Sequence, residues 1–388
     1  MPIALYALTL AAFAIGTAEF IIAGLLPTLA SDLSVSIPAA GLLVSVYALA
    51  VAFGGPVLAL LTAHVPRKPI IVGMAGLFAL GQVLCAIAPN FELLLAARVL
   101  VALTHGLFFG NATIAARALV APERRGAALA LVLAGVPIAN LLGVPIGASI
   151  GQAFGWRTSF WCIAGLATLA TLAVALLVPR VDDEAGASPI PWRAQLKVLG
   201  RHQILLSYLA IMVLLVGALA FGTFQVPFLI SVTGVPEAAT PPYLFAYGIG
   251  AIVGVFGGGY LTDWKLMPSA LGTLLAYAAA AALVLAVMHS PVGMFVAMAG
   301  LGAVGYAFST PLQTRIVNAS AGAPTLAATF IATAFNLGYA LGALAGAGLL
   351  SLGAGYASLP LVGIGAGLLA AAITFWSWRL DRPHEALP

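Results

Sequence analysis

Of the chain's eleven acidic residues, only Glu19 lies well inside an apolar stretch, IALYALTLAAFAIGTAEFIIAGLLPTLA. Asp32, Glu92, Glu123, Asp182, Asp183, Glu184, Glu237, Asp263, Asp381 and Glu385 fall in connections, tails or the edges of apolar runs. If that stretch crosses a bilayer, a carboxyl there costs at least about 2.5–3.5 kcal/mol and marks a functional position by default. Such a group can take up a proton when it faces one side and release it when it faces the other. The alternative is a structural carboxylate satisfied by neighbouring donors. A second apolar run carries Arg98 and His105, seven residues apart and so on one helical face. At 1.5 Å rise per residue, Arg98 would lie roughly 9 Å below the outer surface, Glu19 roughly 16 Å and His105 roughly 20 Å. The three would form one charged cluster if their helices line a common cavity. Against this, Arg98 could instead reach back to the interface, and His105 could be a neutral ring bonded to a neighbouring helix.

The elements that must position these residues follow from composition. Hydrophobic residues make up 63% of the 388 and charged ones 7%, where a soluble domain carries about 25% charged residues. Mean hydropathy is +1.13. Too few charges exist to cover a surface in water, so lipid must be the solvent. Twelve apolar runs approach the roughly 20 residues that cross a bilayer: 4–30, 38–61, 69–88, 92–116, 127–150, 158–178, 204–230, 241–261, 270–288, 291–313, 325–349 and 357–378. They are too long and too uniformly apolar for barrel strands, which predicts an all-α membrane protein. The N-terminal run lacks a basic start and reads as a retained first helix rather than a cleaved signal. Placing the N-terminus in the cytoplasm puts Arg67, Lys68, Arg117, Arg124, Arg125, Arg180, Arg193, Lys197, Arg201, Lys265, Arg315, Arg379 and Arg382 on the inner side. The remaining basic residues are Arg157, outside, and Arg98, within a span. This bias predicts a multi-pass protein of the inner membrane with both termini cytoplasmic. The polar segment 179–203 separates six runs in 1–178 from six in 204–388, and Leu61-Thr62 recurs as Leu261-Thr262 at matching turns. Two six-helix pseudo-repeats are a known transporter plan.

Uncharged polar residues inside the runs are Asn111, Asn140, Gln225, Gln313, Asn318 and Asn336, each a candidate for binding substrate or for bonding helix to helix. Phe108, Phe109, Phe221, Phe224, Tyr243, Tyr247 and Phe335 could wall an apolar pocket, although each alone reads as packing. Glycines recur every fourth residue at Gly143, Gly147, Gly151 and Gly155, and again at Gly338, Gly342 and Gly346. These smooth ridges allow close helix approach and are expected either to let one half slide against the other or to serve static packing. The GxGxxG match at Gly300–Gly305 follows no strand, and no Walker or HExxH motif is present, so neither a nucleotide site nor a metal site is expected. The dispersed basic residues do not suggest nucleic acid, and the matches at Asn111-Ala-Thr113 and Asn318-Ala-Ser320 to the glycosylation pattern are chance ones. Cys85 and Cys162, both in apolar runs, are expected to be buried free thiols.

GTAEF with LLPTLASDL, PERRGAAL, FGWRTSFW and PLQTRIVNASAGAPTLAATFIATAFNLGYALGA together resemble the major facilitator superfamily, and within it the drug/proton antiporter branch that includes sugar-efflux and arabinose-efflux-like permeases. The branch's helix 5 signature is partial in GVPIANLLGVPIGA, which keeps Gly135, Gly143, Pro145 and Gly147 but has Val144 where a Gly usually precedes the Pro. The family's turn after the second span keeps Arg67-Lys68 but has Ala59 and Ala63 at its Gly and Asp places, whereas the equivalent turn in the second half keeps Gly259, Asp263 and Lys265. The resemblance implies that an intact conformational latch lies in the second half. It further implies a non-enzymatic monomer that exports a small molecule by alternating access, driven by the proton gradient with no other cofactor. Glu19 would couple protons, while Arg98, His105, Asn111, Asn140, Gln225 and Asn336 would line the cavity. The rivals are a sugar, nucleoside or amino-acid-derivative exporter, an uncoupled uniporter, and a membrane enzyme or sensor.

Overall fold

The computed structural model describes residues 1–62, 64–180, 200–320 and 324–381. Most of the expected 179–203 linker lies outside these, as do Ala63, Asp182, Asp183, Glu184, Arg193, Lys197, Arg382 and Glu385. Among the described residues the fold is all-α, with twelve helices long and apolar enough to cross a membrane. They are α1 (Ile3–Asp32), α2 (Ile37–Leu61), α3 (Arg67–Ile87), α4 (Phe91–Ala118), α5 (Pro122–Phe154), α6 (Trp156–Leu177), α7 (His202–Gly222), α8 (Pro241–Trp264), α9 (Leu266–Val287), α10 (Pro291–Ala319), α11 (Pro324–Ser351) and α12 (Leu359–Arg379). Each coincides with one apolar run. The largest departures are α7, which stops at Gly222 rather than 230, α10, which continues past residue 313 to Ala319, and α5, which starts five residues early because Pro122 opens a helical turn ahead of it.

Local chemistry sets the ends and breaks. Asn90 and Ser290 cap α4 and α10 by accepting from the Leu93 and Gly293 amides, which satisfies otherwise orphaned donors. Gly155, at φ +86°, makes the tight turn between α5 and α6, a conformation that only glycine adopts freely. Within α5, Pro145 cannot donate to the Leu141 carbonyl, and residues Ala139–Gly143 just before it widen into a π-turn. The run expected over 204–230 is interrupted after Gly222 and resumes as a short helix, Gln225–Ser231, because Pro227 cannot donate to Thr223.

The packing repeats at an offset of six helices. α1 lies against α5 and α6 as α7 lies against α11 and α12; α2 meets α4 as α8 meets α10; α3 meets α6 as α9 meets α12. The two sets of six meet chiefly through α2 with α11 and α5 with α8, with α1 also touching the short helix after α7. The glycine ridges depart from one of their expected uses. Gly143, Gly147 and Gly151 face Thr17, Ile21 and Leu25 of α1, while Gly338 and Gly342 face Leu215, Met212 and Val216 of α7. Both ridges therefore pack against a helix of their own half, and neither lies on the surface between the halves. A Cβ at Gly342 would come within 2.6 Å of the Val216 carbonyl oxygen and 2.9 Å of that of Leu215. Because backbone cannot step aside, Gly342→Ala is expected to destabilise the chain by about 1–3 kcal/mol net of its better helix propensity, read as a lower midpoint in thermal unfolding in detergent. Cys85 is buried as expected, but Cys162 is exposed on the outer face of α6.

Candidate proton and substrate site

Glu19 sits at mid-length in α1, only 8% exposed. Its carboxylate makes no hydrogen bond among the described residues, although the Arg98 guanidinium lies within electrostatic reach. Arg98, fully buried on α4, directs its donors at the α1 backbone instead. Nη1 donates to the Ala18 carbonyl at 2.6 Å and Nη2 to that of Glu19 at 3.4 Å. Arg98 therefore does not reach back to the interface. A carbonyl oxygen has two lone pairs, so it can accept from a guanidinium while staying in its helical ladder. The flat face of the guanidinium lies 4.1 Å from the ring centroid of Tyr47 on α2, a cation–π contact. The Tyr47 hydroxyl is 3.1 Å from Nδ1 of His105. The expected trio thus does assemble, with Tyr47 as the bridge that joins Arg98 to His105. Of the two roles open to His105, the structure shows the bond to a neighbouring helix.

The second half closes the site from the other side. Tyr306 on α10 and Tyr339 on α11 lie within electrostatic reach of Glu19, and Tyr247 on α8 within reach of both. The Tyr247 and Tyr306 rings are 6.5 Å apart, Phe20 meets Tyr339 edge-on at 5.9 Å, and Phe335 meets Tyr339 at 6.2 Å. Asn140, from the π-turn of α5, lies beside Tyr306 and donates to its own Val136 carbonyl at 3.3 Å. A carboxylate and an amide of the first half therefore face three tyrosines of the second across a half-buried aromatic wall. The sequence signal for Tyr47, Tyr306 and Tyr339 is their depth: membrane tyrosines concentrate at the two interfaces, so one at mid-span needs a partner for its hydroxyl.

Twelve spans, repeated packing and a buried charged site between the halves define a transporter architecture, and residues 8–343 match the Major Facilitator Superfamily. The chain belongs to that family. It is accordingly a multi-pass membrane transporter and not an enzyme. Relatives within the superfamily include the inner membrane transport protein YdhP of Escherichia coli (strain K12), 36% identical over 97% of this chain and 96% of that one. A chloramphenicol resistance protein of Streptomyces lividans is 34% identical over 89% of each. The fold is also that of a bacterial homologue of the human lysosomal transporter Spinster, solved inward-facing and unoccupied. That structure superposes with a TM-score of 0.72 at 21% identity, covering 97% of this chain and 96% of that one.

The superfamily motifs fall into place unevenly. LLPTLASDL and FGWRTSFW are joined at one spot, where Asp32 accepts from Trp156 Nε1 at 2.9 Å and from Arg157 at 2.5 Å, while Arg157 also donates to the Ala88 carbonyl. The expected latch of the second half is not engaged. Gly259 has open space beside it, Asp263 is exposed and makes no hydrogen bond or ion pair among the described residues, and Lys265 lies over Trp264. The ion pair at that end comes from elsewhere: Arg315, buried on α10, reaches Asp381 at 3.1 Å, Ser377 at 2.8 Å and the sulfur of Met267. Arg67 and Lys68 are half-buried at the start of α3, while Gly143, Pro145 and Gly147 are buried within the first half. Asn111 donates to its own Leu107 carbonyl. Gln225 and Asn336 are buried, each with its side-chain oxygen unpartnered among the described residues. Gln313 and Asn318 line an open cavity of about 310 Å³ on α10 together with Thr310, Thr314 and Val317.

Proposed function

We propose that this transporter exports a small molecule from the cytoplasm by proton antiport with alternating access, and that Glu19 is the coupling group. The observation that carries the reading is the state of that carboxylate: almost wholly buried between the halves, without a hydrogen-bond donor among the described residues, beside an arginine whose two terminal nitrogens donate to backbone carbonyls rather than to it. A carboxylate so placed is sensitive to which neighbours each facing state brings to it. Substrate arriving among Tyr247, Tyr306, Tyr339 and Asn140 displaces the proton, and reloading returns the carrier. Ring faces, hydroxyls and a single carboxylate paired in charge with Arg98 suit a neutral or modestly amphiphilic molecule better than a polycation. Resistance to chloramphenicol, named for one relative, is in keeping with such a substrate. The inner membrane, cytoplasmic termini and a monomeric working unit complete the reading, with the proton gradient as the only energy source.

Purified chain in proteoliposomes tests it, with chloramphenicol as the probe. A lumen one pH unit more acidic than the bath sustains at most about tenfold accumulation at one proton per substrate. Accumulation approaching that limit, and abolished by a protonophore, is the expected result. Flux indifferent to the protonophore makes the chain a uniporter.

A further inference from the structure

We propose that Phe224 is the plug that seals the end of the transporter distal to its N-terminus, and that alternating access opens this end by withdrawing the ring. The inference rests on the two-state reading above but not on protons. The Phe224 ring, fully buried, lies in a slot between two glycines of opposite halves. A Cβ at Gly41, four residues into α2, would stand 2.6 Å from its Cζ, and one at Gly346, near the end of α11, would stand 2.8 Å from its Cε2. Only glycine at both places leaves room for the ring. α2 and α11 are the main helix pair across the halves, so the ring lies within the principal interface.

The chain also provides a hinge for it. Phe224 occupies the break in the seventh span, at φ −108° and ψ 17°, between Gly222 and the short helix Gln225–Ser231. Pro227 removes the bond that would otherwise hold Thr223 in a continuous helix. Rotations at Thr223 and Phe224 can therefore swing the ring at the expense of only the end-turn bonds there, from the Phe224 amide to the Phe221 carbonyl and from the Phe228 amide to the Phe224 carbonyl. Other polar contacts between the halves at this end are sparse: Thr28 with Glu237 at 3.1 Å and Gln152 with Thr240 at 3.1 Å. Single hydrogen bonds near water contribute little net closure, whereas a buried aromatic ring contributes large contact area. Nearer the N-terminal end, by contrast, the Thr310–Asn318 face of α10 lines open space. The distal end is closed by apolar contact, with Phe224 in its glycine slot and a smaller buried cluster of Val144, Ala148, Val226 and Leu244 beside it.

Spin labels at Ser31→Cys and Leu352→Cys, in a Cys162→Ser background in nanodiscs, report the distal separation without substrate or gradient. The expected parent distribution is dominated by one short distance. Phe224→Ala removes the plug and Gly41→Ala evicts it, and each is expected to raise the long-distance population about tenfold from a minor state. Gly41→Ala leaves the ring itself intact, so it remains informative if Phe224→Ala folds poorly. Combining the two is decisive: with no ring to collide with, Gly41→Ala should add nothing to Phe224→Ala. Unchanged distances in both single variants overturn the proposal, as does a Gly41→Ala shift that persists in full without the ring. Loss of proton coupling with the distance shifts intact would sink the antiport reading alone.

Discussion

Glu19→Gln is expected to reduce accumulation driven by an acidic lumen to simple equilibration, while exchange of labelled for unlabelled substrate continues at the parental rate. Glutamine keeps the shape and the hydrogen-bonding reach of a protonated glutamate but cannot release a proton. The cavity of Tyr247, Tyr306, Tyr339 and Asn140 therefore still accepts substrate, and the halves can still exchange facing states with substrate bound. What disappears is the step that requires a proton to leave before the carrier reloads. The effect is the whole gradient-driven gain, about tenfold for each pH unit applied. Accumulation that survives in this variant removes Glu19 from the coupling role, and a variant that neither accumulates nor exchanges assigns it to substrate binding or folding.

Arg98→Met should act on the architecture as well as the chemistry. The guanidinium ties α4 to the backbone of α1 through the Ala18 and Glu19 carbonyls and packs its face on Tyr47 of α2. Hydrogen bonds to a charged group contribute about 1.5–3 kcal/mol and a desolvated cation–π contact about 2. Methionine fills part of the volume but replaces neither. A loss of about 3–5 kcal/mol, the range for breaking a buried charged network, is expected in unfolding from mixed micelles. Arg98→Lys keeps the charge without the planar fork and should fall between the two. Parental stability in Arg98→Met would show that α1 and α4 are held together without this side chain.

The parts of this account that were legible in the sequence are those where lipid leaves few solutions. A backbone in hydrocarbon must satisfy itself, so apolar length alone located all twelve spans, and most of their ends to within a few residues. A charge in hydrocarbon is costly, so Glu19, Arg98 and His105 stood out and do converge. Tyr47, Tyr306 and Tyr339 did not stand out, because an aromatic ring in an apolar run looks like packing until its depth and partner are known. The glycine ridges illustrate a different limit: four-residue spacing states how closely helices approach but not which helix approaches, and both ridges turned out to face inward within their own half. The break at Phe224 was hidden for a related reason. Proline is tolerated in membrane helices, so Pro227 alone did not interrupt the seventh run. The turn at Gly259, Asp263 and Lys265 shows the limit of a sequence pattern, which gives residues without their partners: Asp263 is exposed and makes no hydrogen bond or ion pair among the described residues.

The central claim is that the protonation state of one carboxyl depends on which way the carrier faces. Infrared difference spectroscopy reads this directly, by recording the carboxylic-acid carbonyl band of parent chain in its distally closed form against the Gly41→Ala form, with Glu19→Gln to assign the signal. A band that changes between the two facing states and is missing from Glu19→Gln is the predicted result. A Glu19 that stays ionised, with no such band in either state, would contradict the account.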